Sequence, residues 1–179
     1  RHGLKRVAIV DFDVHHGNGT QDIFWADENL FYGSTHQMPL YPGTGAASET
    51  GVGNIFNAPL RAGNGGVEFR AAMSNIILPA LETFSPDLVI ISAGFDAHVR
   101  DPLGSLELTE EDFAWATLRL MEVADSFCAG RVVSVLEGGY DLQGLAGSVG
   151  VHVHALMHGD QGLLDEIGEP ADADEEDDT

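Results

Sequence analysis

Two carboxylates and an imidazole stand at alternating positions in Asp11-Phe12-Asp13-Val14-His15, and a further carboxylate and imidazole follow in Asp96-Ala97-His98. In an extended chain Asp11, Asp13 and His15 point to one side. Carboxylates gathered there without a positive partner would cost several kcal/mol, roughly, so a cation is the natural way to satisfy them. Asp with His is a mixed oxygen and nitrogen set that suits zinc better than calcium or magnesium. Asp13, His15 and Asp96 can supply three ligands to one ion, leaving a position open for water or substrate. In Glu137-Gly138-Gly139-Tyr140 a phenol follows two glycines. Tyr140 can donate a hydrogen bond to an oxygen at the metal, and Gly138 and Gly139 let backbone line a narrow channel. This is the layout for metal-assisted attack of water on a carbonyl.

Other chemistry fits less well. Asp11-x-Asp13 resembles the start of a calcium-binding loop, but His16 occupies the position that needs glycine, and a strand precedes it. Asn18-Gly19-Thr20 matches a glycosylation acceptor without a secretory signal to support its use. His98 is the substitute ligand should Asp96 not serve; otherwise it is expected behind the metal or exposed.

The clusters need elements to position them. Val7–Val10, Leu88–Ser92 and Val132–Leu136 are short, apolar and β-branched, and read as strands buried on both faces. Each polar cluster follows one of them. A short helix over 21–25 and a short strand over 30–32 come next after the first cluster. A long glycine- and proline-rich loop then carries Ser34, His36, Tyr41-Pro42-Gly43-Thr44-Gly45 and Gly51-Val52-Gly53, a length usually reserved for function or disorder. Residues 66–84 carry a helical apolar stripe, with Pro79 expected to kink it or mark its last turns. A helix capped by Thr109 runs to about Ala129, and another covers about 142–157. Strands alternating with helices predict an α/β fold with a mainly parallel sheet, whose sites lie beyond the carboxyl ends of its strands. One domain is expected over 1–165, followed by an acidic, disordered tail over 166–179.

The chain has 29 acidic and 8 basic residues, a formal net charge of -21, and Lys5 as its only lysine. That balance argues against nucleic-acid binding, which needs clustered Lys and Arg. It favours cationic substrates, although solubility at high salt, in a salt-loving organism, takes the larger share of the explanation. No run is long enough to span a membrane, and the single Cys128 cannot form an internal disulfide, so a cytoplasmic location is expected.

The segments DFDVHHGNGTQ, YPGTG, SAGFDAH with DPLG, and EGGYD together resemble the histone deacetylase superfamily, from about residue 5 to 158. The glycine pair and Asn18 look more like its class II or acetylpolyamine amidohydrolase side. The resemblance implies a three-layer arginase/deacetylase-like fold and zinc-dependent hydrolysis of N-acetylated amines, either acetyl-lysine in proteins or acetylpolyamines. It assigns zinc to Asp13, His15 and Asp96, and oxyanion stabilisation to Tyr140. It places Tyr41 and Leu103 on the acyl-lysine tunnel. Asp11 and Ser34, with carbonyls of Asp13 and His15, would form a monovalent-cation site for potassium.

The family's tandem His pair, its general base and acid, lies well upstream of this first strand, and His15-His16 is not that pair. The sequence therefore reads as the C-terminal part of a deacetylase domain, with the N-terminal part apparently missing. Val7–Val10 is then expected at an unpaired sheet edge, unless a homo-oligomer or a complementing N-terminal segment covers it. Two alternatives follow: a non-catalytic zinc and acyl-amine binding fragment, and an arginase-like two-manganese hydrolase.

Overall fold

The computed structural model describes residues 3–159; the expected acidic tail lies outside them. Five strands form one parallel sheet: β1 (Val7–Asp11), β2 (Leu30–Gln37), β3 (Ile55–Leu60), β4 (Leu88–Ala93) and β5 (Val132–Leu136). Their order is β3-β2-β1-β4-β5. In register, Asp11 lies opposite both Ser34 and Ser92, and Ala93 opposite Leu136. The segments after β1, β4 and β5 therefore leave the sheet side by side.

Successive residues on one strand enter different cores, as the pleat requires. Ala8, Val10 and Phe31 join the larger core, and Ile9 and Tyr32 the smaller. The larger core is roofed by α2 (Gly66–Ala72), α3 (Leu78–Phe84), α4 (Glu110–Cys128) and α5 (Leu142–His158), through Phe69, Leu81, Phe113, Trp115 and, from α5, Leu145 and Val149. The smaller core is closed by Phe24 of α1 (Asn18–Phe24). Helices on both faces of a parallel sheet make the expected three layers. Thr109 and Asp112 form a capping box at the start of α4, and the Asp141 carboxylate accepts the Gly144 amide at the start of α5.

Several expectations change. Residues 7–10 form the centre of the sheet and not an edge, because β2 and β4 pair with β1 on either side. β5 takes the edge instead, with Val133, Val135 and Leu136 about half exposed, so it is not a strand buried on both faces. β2 runs on into the expected loop, through Ser34 and His36 to Gln37, and β3 forms just after that loop, where the sequence predicts no element. The 66–84 helix stays continuous. It widens into a π turn over Met73–Ile77 just before Pro79, whose missing N–H and bulky ring an α turn would not accommodate.

Candidate metal centre

Asp13, His15 and Asp96 each bring one ligand atom into a group whose members lie within 4.8 Å of one another. Nδ1 of His15 is 3.0 Å from Asp96 Oδ2 and 3.3 Å from Asp13 Oδ1. The Asp96 side chain is fully buried, whereas those of Asp13 and His15 are 13% and 24% exposed. A cation would therefore be held from below and reached from above.

Backbone amides fix the carboxylates. Asp13 Oδ1 accepts from the His15 amide and Oδ2 from the Gly138 amide, both at 2.8 Å. Asp96 Oδ1 accepts the Val14 amide at 2.8 Å. Glycine is what permits this packing. A Cβ on Gly94 would lie 2.2 Å from Asp13 Oδ2, and one on Gly138 2.1 Å from Asp96 Oδ2. Burial, and then the charge of Asp13, push the Asp96 carboxyl up to about 7. Two carboxylates set against one imidazole, with Asp96 driven toward protonation by burial and by Asp13, fit a divalent cation.

Asp11 does not join the cluster. Strand geometry ends at Asp11, so the alternation expected through residue 15 breaks at the turn. Asp11 is buried beneath the turn, where Oδ1 accepts the Asp13 amide at 3.0 Å and Oδ2 accepts the Tyr32 hydroxyl at 2.9 Å. Desolvation raises its pKa well above the ordinary carboxylate value. Ser34, its register partner, is buried and donates to His36 Nδ1 at 3.0 Å. His98 is buried, and not exposed. Its Nδ1 accepts the Arg100 amide at 3.1 Å, and its Nε2 lies 3.4 Å from Glu110.

Tyr140 follows Gly138 and Gly139 at the neighbouring strand end and is 55% exposed. Desolvation, and then the charges of Asp96, Asp13 and Asp101, raise its pKa, which keeps the phenol a donor. Tyr41 and Leu103 are 78% and 50% exposed and stand on the surface.

The sequence reading passed over a second polar cluster, immediately beside the first. His16 Nδ1 accepts the Thr44 hydroxyl at 2.8 Å, and its Nε2–H donates to Gln21 Oε1 at 3.1 Å. Gln21 also accepts from Asn57 at 2.7 Å and donates to Glu49 at 2.6 Å. Glu49 in turn takes the Gly45 and Ala46 amides. His36 donates to the Gly45 carbonyl at 2.9 Å. This network pins the loop that carries Tyr41. Its only sequence signal was His36 within the loop.

The model of the histone deacetylase domain matches residues 1–156. This chain belongs to the histone deacetylase family. It is 46% identical over 175 residues to histone deacetylase 10, chloroplastic, of Oryza sativa subsp. japonica, covering 96% of the chain and 39% of that relative. It is 42% identical over 163 residues to a probable deacetylase of Archaeoglobus fulgidus, covering 89% of the chain and 45% of the relative. The crystal structure of the HDA15 HD domain superposes with a TM-score of 0.81 at 41% identity, covering 87% of the chain and 45% of that structure. The chain thus spans less than half the length of each of these deacetylases. Among the described residues no helix is long and apolar enough to cross a membrane.

Proposed function

We propose that this histone deacetylase family chain carries the metal centre and the oxyanion donor of a zinc-dependent amide hydrolase acting on N-acetylated amines, acetyl-lysine or acetylpolyamine. The observation that carries this reading is the convergence of Asp13, His15 and Asp96, from two strand ends, on a single point tied through Asp13 to Gly138, two residues before Tyr140. A zinc ion held there would polarise the amide carbonyl and lower the pKa of a water. Asp13 and Asp96 balance its charge, and amides hold their carboxylates in place before any ligand arrives. Tyr140, kept protonated, donates to the carbonyl oxygen as negative charge develops on it. Tyr41 and Leu103 flank the acyl chain, and Gly138 and Gly139 let it pass close to the backbone. Asp11 and Ser34 offer a monovalent cation such as potassium a place behind the trio. The chain's -21 charge draws in an amine-bearing substrate.

The test is hydrolysis of an acetyl-lysine reporter by wild type and Tyr140→Phe. Removing one such donor is expected to cost on the order of 100- to 1000-fold in kcat, with zinc content unchanged. Equal rates would remove Tyr140 from the mechanism.

One observation favours the alternative, a binding module without turnover. Among the described residues every histidine other than His15 is engaged away from the trio. His16 and His36 lie in the second cluster, His98 faces Glu110, His152 bonds Thr117 and Ser134, and His154 and His158 pair on α5. Stoichiometric binding of a hydroxamate with no turnover would establish that reading, and robust turnover would eliminate it.

A further inference from the structure

Asp101 is buried at the point where two loops meet. Its Oδ1 accepts the Leu103 amide at 2.9 Å. Its Oδ2 accepts the Tyr140 amide at 2.7 Å and the Asp141 amide at 3.2 Å. The latter two amides bracket the Tyr140 Cα, so one carboxylate oxygen fixes the direction in which that side chain leaves the backbone. On the other side, Gly138 is tied to Asp13 through its amide and accepts the Phe95 amide at its carbonyl, each at 2.8 Å. Between the two anchors sits Gly139, at φ +139°, a conformation that side-chain-bearing residues rarely adopt. The backbone here is free to swivel unless both ends are held. The Tyr140 ring, 55% exposed, has little packing of its own to hold it.

We infer that Asp101 is a positioning residue that aims Tyr140 at the Asp13, His15 and Asp96 trio and ties it to the loop carrying Leu103. The inference rests on the proposed deacylase reading, in which Tyr140 is the oxyanion donor. Asn at position 101 keeps one oxygen and presents an NH2 group to amides that are themselves donors, so one of the two loops loses its anchor. An oxyanion donor displaced by about an ångström loses most of its contribution without affecting how substrate is held in the ground state.

The experiment uses the intact, zinc-loaded protein and an acetyl-lysine reporter. Asp101→Asn is expected to lower kcat about 10- to 100-fold, with KM and zinc content near wild type. The double variant Asp101→Asn/Tyr140→Phe is expected to be no slower than Tyr140→Phe alone, because an anchor has nothing left to position once the hydroxyl is gone. A loss in the double variant equal to the product of the two single losses would make Asp101 merely structural and overturn the assignment. So would an unchanged kcat in Asp101→Asn. Amide hydrogen exchange on the wild type decides the matter even if the variants do not fold. The Tyr140 and Asp141 amides are expected to be protected although Tyr140 itself is exposed, and free exchange at both would overturn the anchor. A wild type without turnover, or a Tyr140→Phe variant as fast as wild type, counts against the deacylase reading, and the exchange result then decides the anchor alone.

Discussion

Two polar clusters share the end of β1 and differ in what each lacks. In the second, His16, His36, Gln21, Glu49, Thr44 and Ser34 satisfy one another, every imidazole nitrogen having a partner. Burial holds His16 below its ordinary value, and burial together with His16 brings His36 to about 4, so both rings stay neutral. In the first, Asp13 Oδ1 and Asp96 Oδ2 both face a single imidazole nitrogen, and Asp96 is driven toward protonation. A network of mutually bonded side chains fixes a loop. A cluster short of positive charge is where a ligand belongs. Burial alone would not have separated the two; the balance of donors and acceptors does.

The contrast predicts opposite responses to substitution. Asp96→Ala removes the buried member of the trio, and stoichiometric zinc is expected to fall to near nothing under mild chelation. Unchanged zinc by elemental analysis would show that Asp96 is not a ligand. Gly138→Ala leaves every ligand in place but sets a methyl 2.1 Å from Asp96 Oδ2 and 2.7 Å from Asp13 Oδ2. Zinc affinity should weaken on the order of 10- to 100-fold, the scale of changes around metal ligands. A competition titration with a chelator gives the number, and wild-type affinity would mean that the carboxylates move aside freely.

Gln21→Leu tests the other side. Leucine fills a similar volume but strands the Glu49, Asn57 and His16 partners. A loss of about 1–3 kcal/mol in urea unfolding is expected, the cost of an unsatisfied buried polar group, with zinc content intact. Should zinc fall as far as in Asp96→Ala, the two clusters would be a single unit and the distinction would fail.

The sequence was legible where periodicity and chemistry agreed. Val7–Val10 and Leu88–Ser92 announced buried strands, and the polar residues after them announced the site at their carboxyl ends. It was not legible where polar residues build the sheet. Ser34, Thr35, His36 and Gln37 look like loop, yet they are buried in β2, where Ser34 and His36 find partners within the network and Gln37 accepts the Ser105 amide. β3 contains Asn57 and Pro59, which conceal a strand; Pro59 is tolerated because β3 is an edge. Asp101 stood in plain view within DPLG, but the sequence does not reveal which amides a carboxylate will accept. Nor did apolar composition reveal that β5 lies at an edge, since Val132–Leu136 reads like any central strand.

The smallest expected effect concerns a third imidazole, which marks the satisfied limit of the same comparison. His15 faces two carboxylates, whereas His152 faces two hydroxyls. Thr117 gives its proton to the Phe113 carbonyl and so accepts from His152 Nδ1–H at 2.6 Å, while Ser134 donates to Nε2 at 2.8 Å. This arrangement needs the neutral ring, and desolvation lowers the pKa of His152 from 6.5 to about 4. Between those values the unfolded chain binds a proton that the folded chain refuses, so stability rises with pH across the window. The contribution is complete above about 6.5 and is lost as pH falls toward 4. Lowering pH from 7 to 6 should cost about 0.7 kcal/mol through this one group, by linkage. His152→Gln cannot take up the proton in either state, so its unfolding free energy should fall by about that much less than wild type over the same step. Urea unfolding of both proteins at the two pH values measures the difference, and contributions from His16 and His36 cancel in it. Parallel pH dependence in the two proteins would mean that His152 is protonated as readily folded as unfolded. The closed pair of hydroxyls around it would then not hold the ring neutral.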